Sequence, residues 1–171
     1  MNEPKKTESS SALWTKATQL RREKKYQKCL AIVVSKDGKK LEVGFADDEK
    51  HNAWYLAGVC YFNLQNYSDA LRCFKLAERE AQGDRDTFFA IGNCYSELGA
   101  TDRARWYFGV LIDRDKNDMN ARFNLGNTFI DDGNFKEASK VFRALSSRKS
   151  SIRSSAKKNL VYIRKQERKK V

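Results

Sequence analysis

Several side chains in this 171-residue chain have the chemistry of a site, and their spacing decides what kind. Cys29, Cys60, Cys73 and Cys94 contain no CxxC pair, and His51 is the one histidine, so zinc ligation is not expected. Cys60 and Cys94 stand two residues after a glycine at equivalent places 34 apart, which suits reduced thiols packed as small hydrophobes. The carboxylates of DRD, DRDKND and DD fall in turns, where Asp caps helices. There is no Ser/His/Asp arrangement, no glycine-rich phosphate loop and no metal-ligand cluster. No catalytic residue, metal or cofactor is therefore assigned, and the chain reads as non-enzymatic. Binding chemistry is better represented. Tyr55, Phe89 and Phe123 recur at a spacing of 34, as do Asn93 and Asn127. Aromatic rings offer apolar shelves, and an asparagine both donates to and accepts from a peptide backbone.

Charge supplies a second candidate chemistry. The formal net charge is +12, but residues 143–171 carry eleven Lys/Arg against Glu167 alone, and residues 16–40 carry nine against two acids. Residues 41–142 hold twelve basic and seventeen acidic groups. The basic pI thus belongs to the two ends, and the middle is mildly acidic. Lys157, Lys158, Arg164, Lys165 and Arg168, with Lys169 and Lys170, form the densest run. Such a run serves an acidic protein, the phosphates of RNA, an anionic surface, or simply solvation. Tyr162 is the only aromatic residue among them able to stack a base, which weighs against nucleic acid.

The elements that must position these residues follow from a repeat. Trp54, Gly58, Tyr61, Ala70 and Phe74 return as Phe88, Gly92, Tyr95, Ala104 and Phe108, and again as Arg122, Gly126, Phe129, Ala138 and Phe142. A fixed period of this length means stacked supersecondary units, none able to bury its apolar face alone. Helix pairs are expected over 52–64 and 68–80, 86–98 and 101–114, and 118–131 and 135–145, with Asp84 and Thr101 as candidate N-caps. Glycine at 58, 92 and 126 and alanine at 70, 104 and 138 allow the two helices of a unit to approach closely.

Upstream, Leu13, Trp14, Ala17 and Leu20, then Tyr26, Cys29, Leu30 and Val33, recur at helical spacing and read as a worn first repeat. Seven extra residues separate it from the next unit. They fall in 35–50, where Asp37-Gly38 marks a turn and the glycines favour a loop folded back on the array. Residues 1–10 are polar and are expected to be disordered. Ile152, Ala156, Leu160 and Ile163 form a sparse apolar stripe on an otherwise cationic helix, suited to capping the last unit. No stretch is apolar for long enough to span a bilayer, and no apolar leader follows Met1, so a cytoplasmic location is expected.

The pattern Trp54-x2-Ala57-Gly58-x2-Tyr61…Ala70-x3-Phe74 resembles the tetratricopeptide repeat. The resemblance implies an all-α solenoid: three regular helix-turn-helix repeats (51–84, 85–118, 119–152) within 51–150, a degenerate repeat and loop at 11–50, and a basic capping helix at 151–171. It also implies an interaction module, an adaptor or chaperone, whose first helices line a concave groove for a peptide or protein segment. The groove positions are then Asn52, Tyr55, Val59, Phe62, Phe89, Asn93, Asn120, Phe123, Asn127 and Ile130. The same aromatics also suit a second role, filling the seam between neighbouring first helices. The carboxylate clamp of chaperone-binding relatives needs Lys, Asn and Arg, whereas one register here has Tyr55, Val59, Asn120 and Asn124 and the other Trp14, Thr18, Asp86 and Ala90. Size and layout, and the stretch Phe88 to Cys94 followed by Gly99 and Ala104, are also similar to translocator-type chaperones of type III secretion. That likeness implies an extended secreted segment as partner. It departs from the family in its basic charge and in residues 35–50.

Overall fold

Helix ends in this chain are set by side chains that satisfy the first free backbone amides. Asn66 accepts from the Asp69 amide, Asn134 from the Glu137 amide and Asp118 from the Ala121 amide, each starting a helix. Asp84 accepts from the Thr87 amide at 2.7 Å and does the same. Thr101 does not cap: the cap position is Ala100, with no side-chain bond, and the Thr101 hydroxyl donates to Asp132 across the fold.

The computed structural model describes residues 9–42, 49–147 and 151–169. Among them the helices are α1 (Ser10–Arg22), α2 (Tyr26–Val33), α3 (Lys50–Asn63), α4 (Tyr67–Glu80), α5 (Arg85–Glu97), α6 (Thr101–Arg114), α7 (Met119–Asp131), α8 (Phe135–Ser146) and α9 (Arg153–Arg168). The disorder expected at 1–10 falls almost wholly outside the described residues. Two compact units divide the chain, Met1–Thr87 and Phe88–Val171.

Helices pair through one kind of turn. After Leu20, Tyr61, Tyr95 and Phe129 the amide five residues on donates back to that residue's carbonyl at 2.8–3.0 Å. The residue just before that amide, Lys24, Gln65, Gly99 or Gly133, has φ between 58° and 72°. This is the left-handed C-terminal closure that most favours glycine. Its occurrence at Lys24, 41 residues before Gln65, gives the first helix pair the same joint as the others.

In the first unit, α1 to α4 enclose a core of Ala17, Cys29, Leu30, Val33, Ala53, Trp54, Leu56, Ala57, Cys60, Cys73 and Ala77. The chain after α2 turns over Ser35–Lys40, closed by an isolated antiparallel bridge between Val34 and Leu41. Arg72 of α4 donates to the Gly38 carbonyl at 2.6 Å and ties this turn back onto the helix pair. Residues 43–48 lie outside the described residues.

In the second unit, Phe108 of α6 sits against Gly92, and Phe142 of α8 against Gly126, just as Phe74 of α4 sits against Gly58 in the first. A Cβ on any of these glycines would stand 2.6–2.7 Å from the ring. The missing side chain is thus the seat of the aromatic one. Arg122, the exception at the Trp54 and Phe88 position, clasps the Lys116 carbonyl through Nε and a terminal nitrogen, trading an aromatic contact for a loop anchor. Asp132 accepts from Thr101 and Arg105, joining α6 to the end of α7. The α9 stripe closes the unit: Ala156 and Ile163 are fully buried with Ala138, Phe142 and Leu145, and Ile152 and Leu160 pack at their edge.

Candidate functional site

In the first unit, Asn52, Tyr55 and Val59 of α3 line a cleft of about 200 Å³ together with Trp14, Thr18 and Arg21 of α1 and with Leu56. Their spacing of three and four residues puts them on one side of α3, over the turn that faces α1. Burial first, and then the Asp86 and Asp84 carboxylates, hold the Tyr55 hydroxyl above its ordinary pKa, so it is a neutral donor and acceptor. The Tyr55 ring leans on Phe74 at 5.4 Å between centroids and is half-buried. Phe62 is elsewhere: its ring meets Tyr67 edge-on at 5.2 Å, joining α3 to α4. The expectation that it belongs with Tyr55 and Val59 is not met by the lining of this cleft.

His51 donates from Nδ1 to the Ala77 carbonyl at 3.0 Å, with Asp84 at 3.9 Å from Nε2. It therefore links the start of α3 to the end of α4. All four cysteines are buried, and none of them forms a disulfide. Burial pushes the Cys73 thiol up to about 12, and a bond with Cys29 followed by burial raises Cys60 as well. These are packing thiols. No cluster of three or more His, Cys, Asp or Glu side chains able to hold a metal occurs among the described residues.

In the second unit, Phe89 rests on Phe108 at 5.8 Å and Phe123 on Phe142 at 5.5 Å, each half-buried. Each aromatic thus backs the ring that occupies its repeat's glycine seat and presents only part of its surface to solvent. Asn93 accepts from Asn124 at 2.6 Å, and Asn127 accepts from Asn159 at 2.8 Å. The two repeated asparagines are therefore engaged in bridges from α5 to α7 and from α7 to α9. Each keeps its own amide group for a further bond. Asn120 is exposed, and Ile130 packs with Phe123 against the core beside α8.

Sequence reasoning missed Asn124 and Asn159, whose offsets of 31 and 32 lie off the 34-residue register. It missed Arg21 as a cleft residue, and it placed Trp14 and Thr18 only in one register of the carboxylate clamp and not beside Tyr55 and Val59. The basic run at the C-terminus does not form one patch. At 100° per residue, Lys157 and Arg168 flank Arg164 on one side of α9, while Lys158 and Lys165 lie around the far side.

Models of the tetratricopeptide repeat match residues 51–84 and 120–151. The chain carries tetratricopeptide repeats (TPRs) at both places. Its fold class is the all-α TPR solenoid. No curated protein matches it in sequence. Solved structures do match in fold. YrrB, described as a TPR protein with an unusual peptide-binding site, aligns with a TM-score of 0.60 and 22% identity over 91% of this chain and 73% of its own. A MamA structure from MSR-1 aligns with a TM-score of 0.68 and 17% identity over 92% of this chain and 86% of its own. The TPR domain of Arabidopsis OM64 aligns with a TM-score of 0.59 and 16% identity, over 68% of this chain and 98% of its own. At such identities the likeness is one of fold. TPR repeats place the chain in the class of protein-interaction modules, with a protein or peptide as partner. No described helix is long and apolar enough to cross a membrane.

Proposed function

We propose that this TPR protein is a non-enzymatic adaptor or chaperone that holds a segment of another protein against the first helices of its repeats. The observation that carries the reading is the α1–α3 cleft, which three of the expected groove residues, Asn52, Tyr55 and Val59, line together. Trp14 and Leu56 supply apolar walls for a partner side chain, Asn52 and Thr18 supply polar atoms for its backbone, and Arg21 supplies one positive charge for a carboxylate. In the second unit, the partly exposed edges of Phe89 and Phe123 and the remaining amide groups of Asn93 and Asn127 offer the same mixture. The YrrB description, a TPR protein with a peptide-binding site, adds support by analogy of fold.

The test is site-specific photocrosslinking. A photoreactive phenylalanine analogue replaces Val59 in one variant and exposed Lys116 in another, and adducts formed in cell extract are identified by mass spectrometry. The reading expects a discrete adduct at position 59 that is absent at 116 and is lost when Arg21→Glu is added. Equal labelling at the two positions, or none at 59, would overturn it.

A further inference from the structure

A cleft in the second unit has the opposite character to the α1–α3 cleft. Lys136, Ser139, Lys140 and Arg143 of α8 form one wall and Leu160, Arg164 and Glu167 of α9 the other, enclosing about 290 Å³. Lys136, Lys140 and Arg143 follow one another at spacings of four and three, so they share a face of α8. Opposite them, Lys157 and Arg168 stand on the same side of α9 as Arg164 and extend the positive rim. Only Lys140 of the four lining cations is ion-paired among the described residues, to Glu137 at 2.6 Å. Leu160 lies half-buried between the walls.

We propose that the α8–α9 cleft is a second docking site, which takes an acidic segment of a partner protein. Charge complementarity selects the occupant. The cations of α8 span about 10 Å at 1.5 Å per residue, the length of some three extended residues or two helical turns. Arg143 and Arg164 each offer a planar pair of donors matched to a carboxylate, and Leu160 receives an apolar side chain set between the acids. Two observations favour a peptide over RNA. The lining contains no aromatic side chain on which a base would stack. Glu167 in the wall and Glu137 beside it repel a continuous run of phosphates, whereas a peptide has backbone amides to donate to them. None of the groove residues of the first helices lines this cleft, so the two sites stand or fall separately.

The experiment uses the full chain and a fluorescein-labelled peptide of Glu/Asp pairs separated by single leucines, read by anisotropy. An isosteric Gln/Asn peptide and an oligouridylate of equal charge serve as comparison probes. Arg143→Glu with Arg164→Glu reverses the cleft, and Lys158→Glu with Lys165→Glu makes the same net charge change on the far side of α9. The proposal expects the cleft variant to lose about tenfold or more in affinity, the far-side variant less than about threefold, and the Gln/Asn peptide not to bind. Equal losses in both variants would reduce the effect to overall charge and overturn the proposal. So would tighter binding of the oligouridylate than of the peptide at the same salt, or no binding of the acidic peptide. All four positions are exposed. Should the glutamate pair lower the melting temperature, Arg143→Gln with Arg164→Gln, measured identically, decides by the same criteria.

Discussion

Two glycines in the second unit separate packing from helix propensity, because one has a ring against it and the other has open space. Gly92 lies inside α5, and an added Cβ would stand 2.7 Å from Phe108 Cε1, 3.0 Å from Cζ and 3.1 Å from Cδ1. Carbon atoms in contact prefer about 3.5–4.0 Å, so the methyl group overlaps a ring that is itself fully buried and backed by Phe89. Overpacking of this kind costs about 1–3 kcal/mol. Gly109 lies inside α6, and nothing stands within 4 Å of its added Cβ. Replacing either glycine by alanine gains about 1 kcal/mol of helix propensity. Gly109→Ala is therefore expected to stabilise by about that amount, while Gly92→Ala ends between neutral and about 2 kcal/mol destabilising. Urea denaturation followed by far-UV circular dichroism measures both, and their difference isolates the contact with Phe108. The double variant with Phe108→Leu sharpens the result: the smaller side chain should cost at least about 1 kcal/mol less in the Gly92→Ala background than in the wild type. If Gly92→Ala stabilises to within about 0.5 kcal/mol of Gly109→Ala, the glycine seat is not what joins the helices of a repeat.

Further outcomes follow from the turns, the ion pairs and the thiols. Gln65→Gly and Lys24→Gly should each raise stability by about 1 kcal/mol, since both residues hold a positive φ that costs an L side chain about that much; unchanged urea midpoints would count against the turn geometry. Asp132→Ala removes the acceptor shared by Thr101 and Arg105 and should cost about 0.5–1 kcal/mol near neutral pH. The Thr101 and Arg105 bonds hold the Asp132 carboxyl below its usual range, so this contribution is present above about pH 4 and is lost as acid protonates it. The wild type and variant should therefore converge in stability below that pH. Finally, the buried thiols should resist a disulfide reagent at pH 8 in the folded protein and all react in denaturant; rapid labelling of Cys73 in the native state would contradict its packing.

The fold was legible because it repeats. A period of 34 residues exposed the helix pairs, and the small residues at 58, 92 and 126 pointed to close helix contact, which the rings of Phe74, Phe108 and Phe142 now explain. The candidate site was legible only in part. Asn93 and Asn127 stood out through their repetition, but their partners come from α7 and from the capping helix α9 at offsets of 31 and 32, where the lean of helical side chains rather than the repeat length sets the match. The composition of the turns concealed Asp132 in the same way. A carboxylate at the end of a helix reads as a local cap, and only packing brings it to Arg105, 27 residues earlier. The basic run was visible as charge, but a linear count cannot divide the two sides of α9 or add Lys136, Lys140 and Arg143 from α8.

The turn that closes on itself bears on how such a chain lengthens. Around Gly99 and again around Gly133, every closing hydrogen bond lies within six residues, so each joint is complete without help from elsewhere. A segment copied from one joint to the next brings its own hinge, a ring that fills the glycine seat of the unit before it, as Phe108 fills Gly92, and a glycine seat, as at Gly126, for the ring of the unit after it. Duplication of such a segment needs no remodelling at the splice, and tandem copying can extend the array one finished module at a time.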